Sequence, residues 1–136
     1  RADGGGSNHN AALFAYGAKT LSAEPGSHGA AVVPELGPEP SDLVLTRLHG
    51  LGPMCGTDLD SVLRNLGVTT IVPVGVSLNV AIPNFIMDAV NKSYDVVLPS
   101  DAVAGIPTDY GRAILKNTLS LLSTVVTTDE LIEIWS

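Results

Sequence analysis

Thr69-Thr70-Ile71-Val72-Pro73-Val74-Gly75-Val76 is the stretch on which the fold turns. Its apolar residues run on almost without interruption, and a strand reads this way when both of its faces are buried in a parallel sheet. Pro73 sits awkwardly in it, because a central strand has no amide to spare. The residues before it read as a helix over 58–66, with Thr57 as N-cap and Leu59, Val62, Leu63 and Leu66 on one face. Gly67 closes that helix as a C′ residue. After the strand, Ser77 or Asn79 caps a helix that runs through Asn91 and turns Phe85, Ile86, Ala89 and Val90 toward the sheet. Tyr94-Asp95-Val96-Val97-Leu98 is the next strand, and a helix over 107–122 follows with Pro107 at the tolerated first position. Val125-Val126 makes a last short strand and 129–135 a terminal helix. Strands alternating with helices mean βαβ units, so the fold class is α/β with a mostly parallel sheet.

Residues 1–56 obey another grammar. They hold most of the glycines and just over half of the prolines, which interrupt regular elements. This part is expected to be loop-rich, with one short strand at Leu43-Val44-Leu45-Thr46, while 57–136 is the regular part of the same single domain. Ser7-Asn8-His9-Asn10 reads as a loop or a helix start. A chain of 136 residues with 45% hydrophobic and 15% charged residues is not a disordered tail. Its net charge of −7 excludes neutralisation of a phosphate backbone, so neither nucleic acid nor an anionic membrane surface is expected as partner. A lone cysteine, Cys55, allows no internal disulfide and no thiol-based zinc site, and this usage fits a cytoplasmic protein. No run reaches 18 uninterrupted apolar residues, and the start at Arg1 has no signal-peptide core. The chain begins with Arg in place of Met, and it is read as a piece of something longer.

In open α/β sheets the reactive crevice lies at the carboxyl ends of the strands. Two exits matter, Thr46-Arg47-Leu48-His49 and Gly75-Val76-Ser77-Leu78-Asn79-Val80-Ala81. The second passes directly from strand to helix, so free amides and the positive end of the helix dipole face the crevice. Such a place activates a nucleophile and stabilises an oxyanion.

Several pieces of this chain together resemble the isochorismatase-like cysteine hydrolases, the group that includes nicotinamidases. They are Thr57-Asp58-Leu59-Asp60 with Leu66-Gly67-Val68-Thr69-Thr70, then Gly75-Val76-Ser77-Leu78-Asn79-Val80. Tyr94-Asp95-Val96-Val97-Leu98 with Ser100-Asp101-Ala102-Val103-Ala104-Gly105 follows in the same order. Upstream, Gly29-Ala30-Ala31-Val32-Val33-Pro34-Glu35-Leu36 and Asp42-Leu43-Val44-Leu45-Thr46 are similar to the run into the family's lysine strand. The resemblance implies a three-layer α/β/α, Rossmann-like sheet of order 3-2-1-4-5-6, with Leu43 to Thr46 as strand 3 and strands 1 and 2 missing from this chain. It implies an Asp-Lys-Cys triad and a cis peptide near the nucleophile. It also implies hydrolysis of a small amide or vinyl ether substrate without any cofactor, in a homo-oligomer. Carried over by position, the nucleophile's place is Ala81 and the lysine's place is Arg47, or Leu48 if counted back from Thr57. Ala81 has no electron pair to offer, and Arg47 stays protonated at any working pH. Ser77, Val80, Ala81 and His49 would line the substrate and oxyanion side. Without strands 1 and 2 the sheet would expose unpaired polar groups, so the chain is expected to order beside its own N-terminal segment.

Each candidate also has a plainer reading. Cys55 is a relocated nucleophile or a spectator thiol, and His49 is a base or ligand or an ordinary loop histidine. Arg47 binds a substrate carboxylate or pairs with Asp42. Ser77 could attack, but no base stands beside it in sequence, and Asp101 serves better as an acceptor of backbone or hydroxyl hydrogen bonds at a strand exit. His9 and His28 have no ligand-spaced neighbours, so no metal site is expected. With the nucleophile's place empty, the alternative function is a non-catalytic protein that binds a small acid or serves as a structural subunit.

Overall fold

The computed structural model describes residues 9–20, 26–47 and 50–136. Contacts divide the chain into two units, Arg1–His49 and Gly50–Ser136. In the first, α1 spans Ala12–Thr20, and two single 3₁₀ turns follow at His28–Ala30 and Pro34–Leu36. No described residue of this unit is buried. The strand expected at Leu43 to Thr46 is not formed, and Leu43 and Val44 stand 65% and 67% exposed. A strand exists only against a partner, and no ladder bond reaches these residues from the described ones.

The second unit carries the α/β fold. Its elements are α2 (Leu59–Asn65), β1 (Thr70–Ile71), β2 (Gly75–Val76), α3 (Ala81–Asn91), β3 (Asp95–Pro99), β4 (Val103–Ala104), α4 (Thr108–Asn117), β5 (Thr124–Val126) and α5 (Thr128–Trp135). All pairings are parallel, in one sheet of order β1-β3-β5 and a second pair β2-β4. The order β1-β3-β5 agrees with the 4-5-6 end of the implied sheet.

The expected single strand at 69–76 is two strands in two sheets. Pro73 is the physical reason: it offers no amide to a neighbour, so the ladder on β3 stops at Ile71 and pairing resumes at Gly75, now on Val103. β2 and β4 thus form a parallel pair of their own, each following along the chain from a strand of the main sheet.

Buried apolar side chains hold the unit together, among them Ile71, Leu78, Ile82, Ile86, Ala89, Tyr94, Val96, Leu98 and Leu119. On α3 the buried stripe is Ile82, Ile86 and Ala89, at helical spacing. Val90 falls off that stripe and is 39% exposed, as is Met87 at 42%, which corrects the expected inward place of Val90. The helix expected over 107–122 ends at Asn117. Pro107 is its N-cap instead of its first residue, and a 3₁₀ turn at Leu119–Leu121 swings Leu119 into the core. Gly67 ends α2 with φ +69°, a conformation that costs other residues, and so meets its expected place. Asp58 is the N-cap of α2 in place of the expected Thr57 and makes no side-chain cap bond; Thr57 Oγ1, one residue earlier, accepts from the Leu59 N–H at 3.2 Å.

One ionic cluster ties α2 to the start of β3. Asp60 meets Lys92 Nζ at 3.1 Å, Arg64 Nε at 3.2 Å and the Tyr94 hydroxyl at 2.9 Å, while the Arg64 guanidinium lies over the Tyr94 ring. The Lys92 hydrogen bond, helped by Tyr94, holds the Asp60 carboxyl below its ordinary 3.8, and burial with the Asp60 contact pushes the Tyr94 phenol up. A carboxyl whose pKa is lower folded than unfolded adds stability above the unfolded value and loses it as pH falls through the folded one. Asp60→Asn should therefore remove part of the stability present at neutral pH and flatten the fall in urea midpoint below pH 3.8. An acid limb as steep as the wild type's would show that Asp60 is not coupled to folding.

Candidate functional site

β2 and β4 run parallel and leave their pair at the same end, into residues 77–80 and 105–107. The peptide Val76–Ser77 is cis, the feature the resemblance implies at this place, and Ile106–Pro107 is cis as well. Leu78 is buried and donates its N–H to the Ala104 carbonyl at 2.8 Å, which pins the turn to the end of β4.

A helix start normally leaves four amides without partners. Here Ile82 donates to the Ser77 carbonyl at 3.0 Å and Asn84 to the Val80 carbonyl at 3.0 Å. Pro83 has no N–H. Among the described residues the first turn of α3 is thus left with one open donor, the N–H of Ala81. Ala81 is half-buried, and the positive end of the helix dipole adds to the field at that N–H. A donor so placed is chemically suited to a carbonyl oxygen or an oxyanion. It supplies no lone pair for attack, because the side chain at this position is a methyl group.

The structure gathers Ser77, Val80 and Ala81 on one short segment. Val80, with no side-chain cap bond, is the N-cap; neither Ser77 nor Asn79 caps α3. Asn79 is turned away to Ile106, whose N–H and carbonyl it holds at 3.0 and 2.6 Å. Ser77 lends its backbone carbonyl to the helix, and its hydroxyl has no basic partner among the described residues. Arg47 is exposed and belongs to the first unit. His49 lies outside the described residues. Cys55 is exposed, with its Sγ 4.0 Å from Asp88 Oδ2. Asp88 stands two turns along α3 from Ala81, about 10 Å by helical rise, so the thiol is not at the helix start.

Asp101 accepts from the Thr128 N–H and hydroxyl, both at 2.9 Å, and the Thr128 hydroxyl chiefly holds its carboxyl below the ordinary value. It joins the exit of β3 to α5, whose start carries a capping box of Thr127 with Glu130. This is the acceptor role expected for it. Among the described residues no three His, Cys, Asp or Glu side chains converge, and no helix is long and apolar enough to cross a membrane. Sequence reasoning had Asn79 in this exit only as a possible cap, and missed its pairing with the segment Gly105-Ile106-Pro107. The Gly-Ile-Pro triplet is a turn signal that flags this segment, but nothing local in the sequence connects it to Asn79.

A family model described as an isochorismatase domain matches residues 3–130. The chain is 38% identical over 94 residues to the ureidoacrylate amidohydrolase RutB of Methylobacterium radiotolerans, covering 68% of this chain and 36% of that protein. It resembles the crystal structure of a cysteine hydrolase from Pseudomonas syringae pv. phaseolicola, with TM-score 0.84 and 28% identity over 98% of this chain and 66% of that one. An isochorismatase-like hydrolase from Alkaliphilus metalliredigens matches with TM-score 0.77 and 31% identity, over 82% of this chain and 61% of that one. The chain spans about a third of the length of that amidohydrolase.

Proposed function

Since the chain belongs to the isochorismatase family, we propose that Ala81 stands where the family's nucleophilic cysteine would, and that the start of α3 holds the carbonyl of a small amide without capturing its acyl group. The observation that carries this reading is the single open donor of the first turn, placed on a residue whose side chain is a methyl group. An amide carbonyl gains negative charge on its oxygen when attacked, and a fixed N–H at a helix start stabilises that charge. Attack then falls to water, which must be placed and deprotonated by groups other than Ala81. The similarity to a ureidoacrylate amidohydrolase favours a ureido or carboxamide substrate of small size. A second reading, a non-catalytic protein that holds a small acid, is favoured by the same methyl group together with Arg47, which cannot shuttle a proton.

The test uses the full-length protein with ureidoacrylate and nicotinamide, followed by product NMR and intact mass. Turnover is expected without an acyl adduct on the chain, and at an unchanged rate after iodoacetamide has alkylated the exposed Cys55. An acyl adduct, or loss of turnover on alkylation, overturns the water-attack reading. Binding without turnover establishes the second reading in its place.

A further inference from the structure

A carboxamide side chain carries an acceptor and two donors. Asn79 commits one of each to a single peptide unit pair: its Nδ2 donates to the Ile106 carbonyl at 2.6 Å, and its Oδ1 accepts from the Ile106 N–H at 3.0 Å. So close an approach requires glycine at 105, since a Cβ there would lie 2.8 Å from Asn79 Oδ1 and 2.9 Å from the Leu78 Cβ. With the Leu78 N–H on Ala104, three hydrogen bonds join the turn before α3 to the end of β4 and the residue two positions beyond it. Ile106 is meanwhile 88% exposed. An exposed isoleucine alone is ordinary. This one has both backbone groups fixed by the segment that leads to Ala81, at the same end of the β2-β4 pair.

We propose that Asn79 is a positioning residue for specificity: by holding the Ile106 peptide it fixes the Ile106 side chain as the apolar wall that receives the hydrocarbon part of a small carboxamide, whose carbonyl goes to Ala81. The proposal rests on the carbonyl-binding reading of the α3 start.

Amide exchange and titration with linear carboxamides, acetamide to hexanamide, read on the Ile106 and Ala81 amide signals of the full-length protein, test it. In the wild type hexanamide should bind at least roughly tenfold more tightly than acetamide. Asn79→Ala should speed exchange at the Ile106 amide by roughly three- to tenfold, the worth of one net hydrogen bond, and abolish that preference. Ile106→Ala should abolish the preference while leaving exchange at position 106 unchanged. Asn79→Asp should keep the Ile106 N–H protected at every pH, because a carboxylate still accepts from it, and should regain the preference for hexanamide only below about pH 4, where the protonated carboxyl again donates to the Ile106 carbonyl. A merely structural role would not give that pH profile. Unchanged Ile106 exchange in Asn79→Ala, or a preserved preference for hexanamide, overturns the proposal. If no carboxamide shifts the Ala81 amide of the wild type, the carbonyl-binding reading falls and takes the specificity role with it, while the exchange data still decide the clamp.

Discussion

Leu98→Ala should destabilise the second unit by about 2–5 kcal/mol, toward the upper end of that range. Leu98 has no exposed surface and sits in β3, which pairs on one side with β1 and on the other with β5. Its neighbours in the core include Ile86, Ala89 and Leu119, all fully buried. A strand tied on both edges cannot move inward to fill the space, so most of the cavity created would remain open. Urea unfolding of the variant beside the wild type measures the loss. Val125→Ala on the neighbouring strand is the control: Val125 is 38% exposed, and its truncation should cost less than about 1 kcal/mol. Equal losses at the two positions would contradict a core centred on β3.

Ala81→Cys, made in a Cys55→Ser background, should create a thiol more reactive than the natural one. A thiol at a helix N-terminus has its pKa lowered from about 8.5 to about 7 or below. At neutral pH this raises the thiolate fraction roughly tenfold over that of a model-peptide thiol, and after allowing for the lower nucleophilicity of a less basic thiolate, iodoacetamide should label the variant several times faster than it labels Cys55 in the parent. With p-nitrophenyl acetate the variant should form a thioester visible by intact mass, because the open N–H beside the thiol stabilises the tetrahedral intermediate. Labelling no faster than at Cys55 would mean that the start of α3 does not present its donor and dipole as described.

Both predictions depend on features that differ in how far they could be read from the sequence. The elements after Thr57 were legible because their signals are local. Leu59, Val62 and Leu63 share a helical face, and Gly67 supplies the left-handed residue that ends α2. Val96, Val97 and Leu98 are too continuously apolar for anything but a buried strand. The candidate segment Ser77 to Ala81 was legible for the same reason, as the place where a strand run meets a helix start. The resemblance added the cis peptide, found at Val76–Ser77.

Asn79 was misread. In sequence it is a polar residue just ahead of a helix and so reads as a cap, but its partner is 27 residues away. Propensity cannot rank a local bond against a distant one. Leu43 to Thr46 failed differently: its composition suits a strand, yet strand formation is a property of a pair.

The sequence by itself determined the α/β class, the alternation of elements from α2 to α5, and the methyl group at the first residue of α3 that denies a covalent step there. Periodicity, caps and side-chain chemistry are carried by the residues themselves. Only the tertiary structure decided that the run around Pro73 divides between two sheets, that Asn79 grips Ile106, and that one amide of the α3 start is left open. Each of these depends on which backbone group comes within hydrogen-bond reach of another far along the chain, and three-dimensional packing selects that pairing.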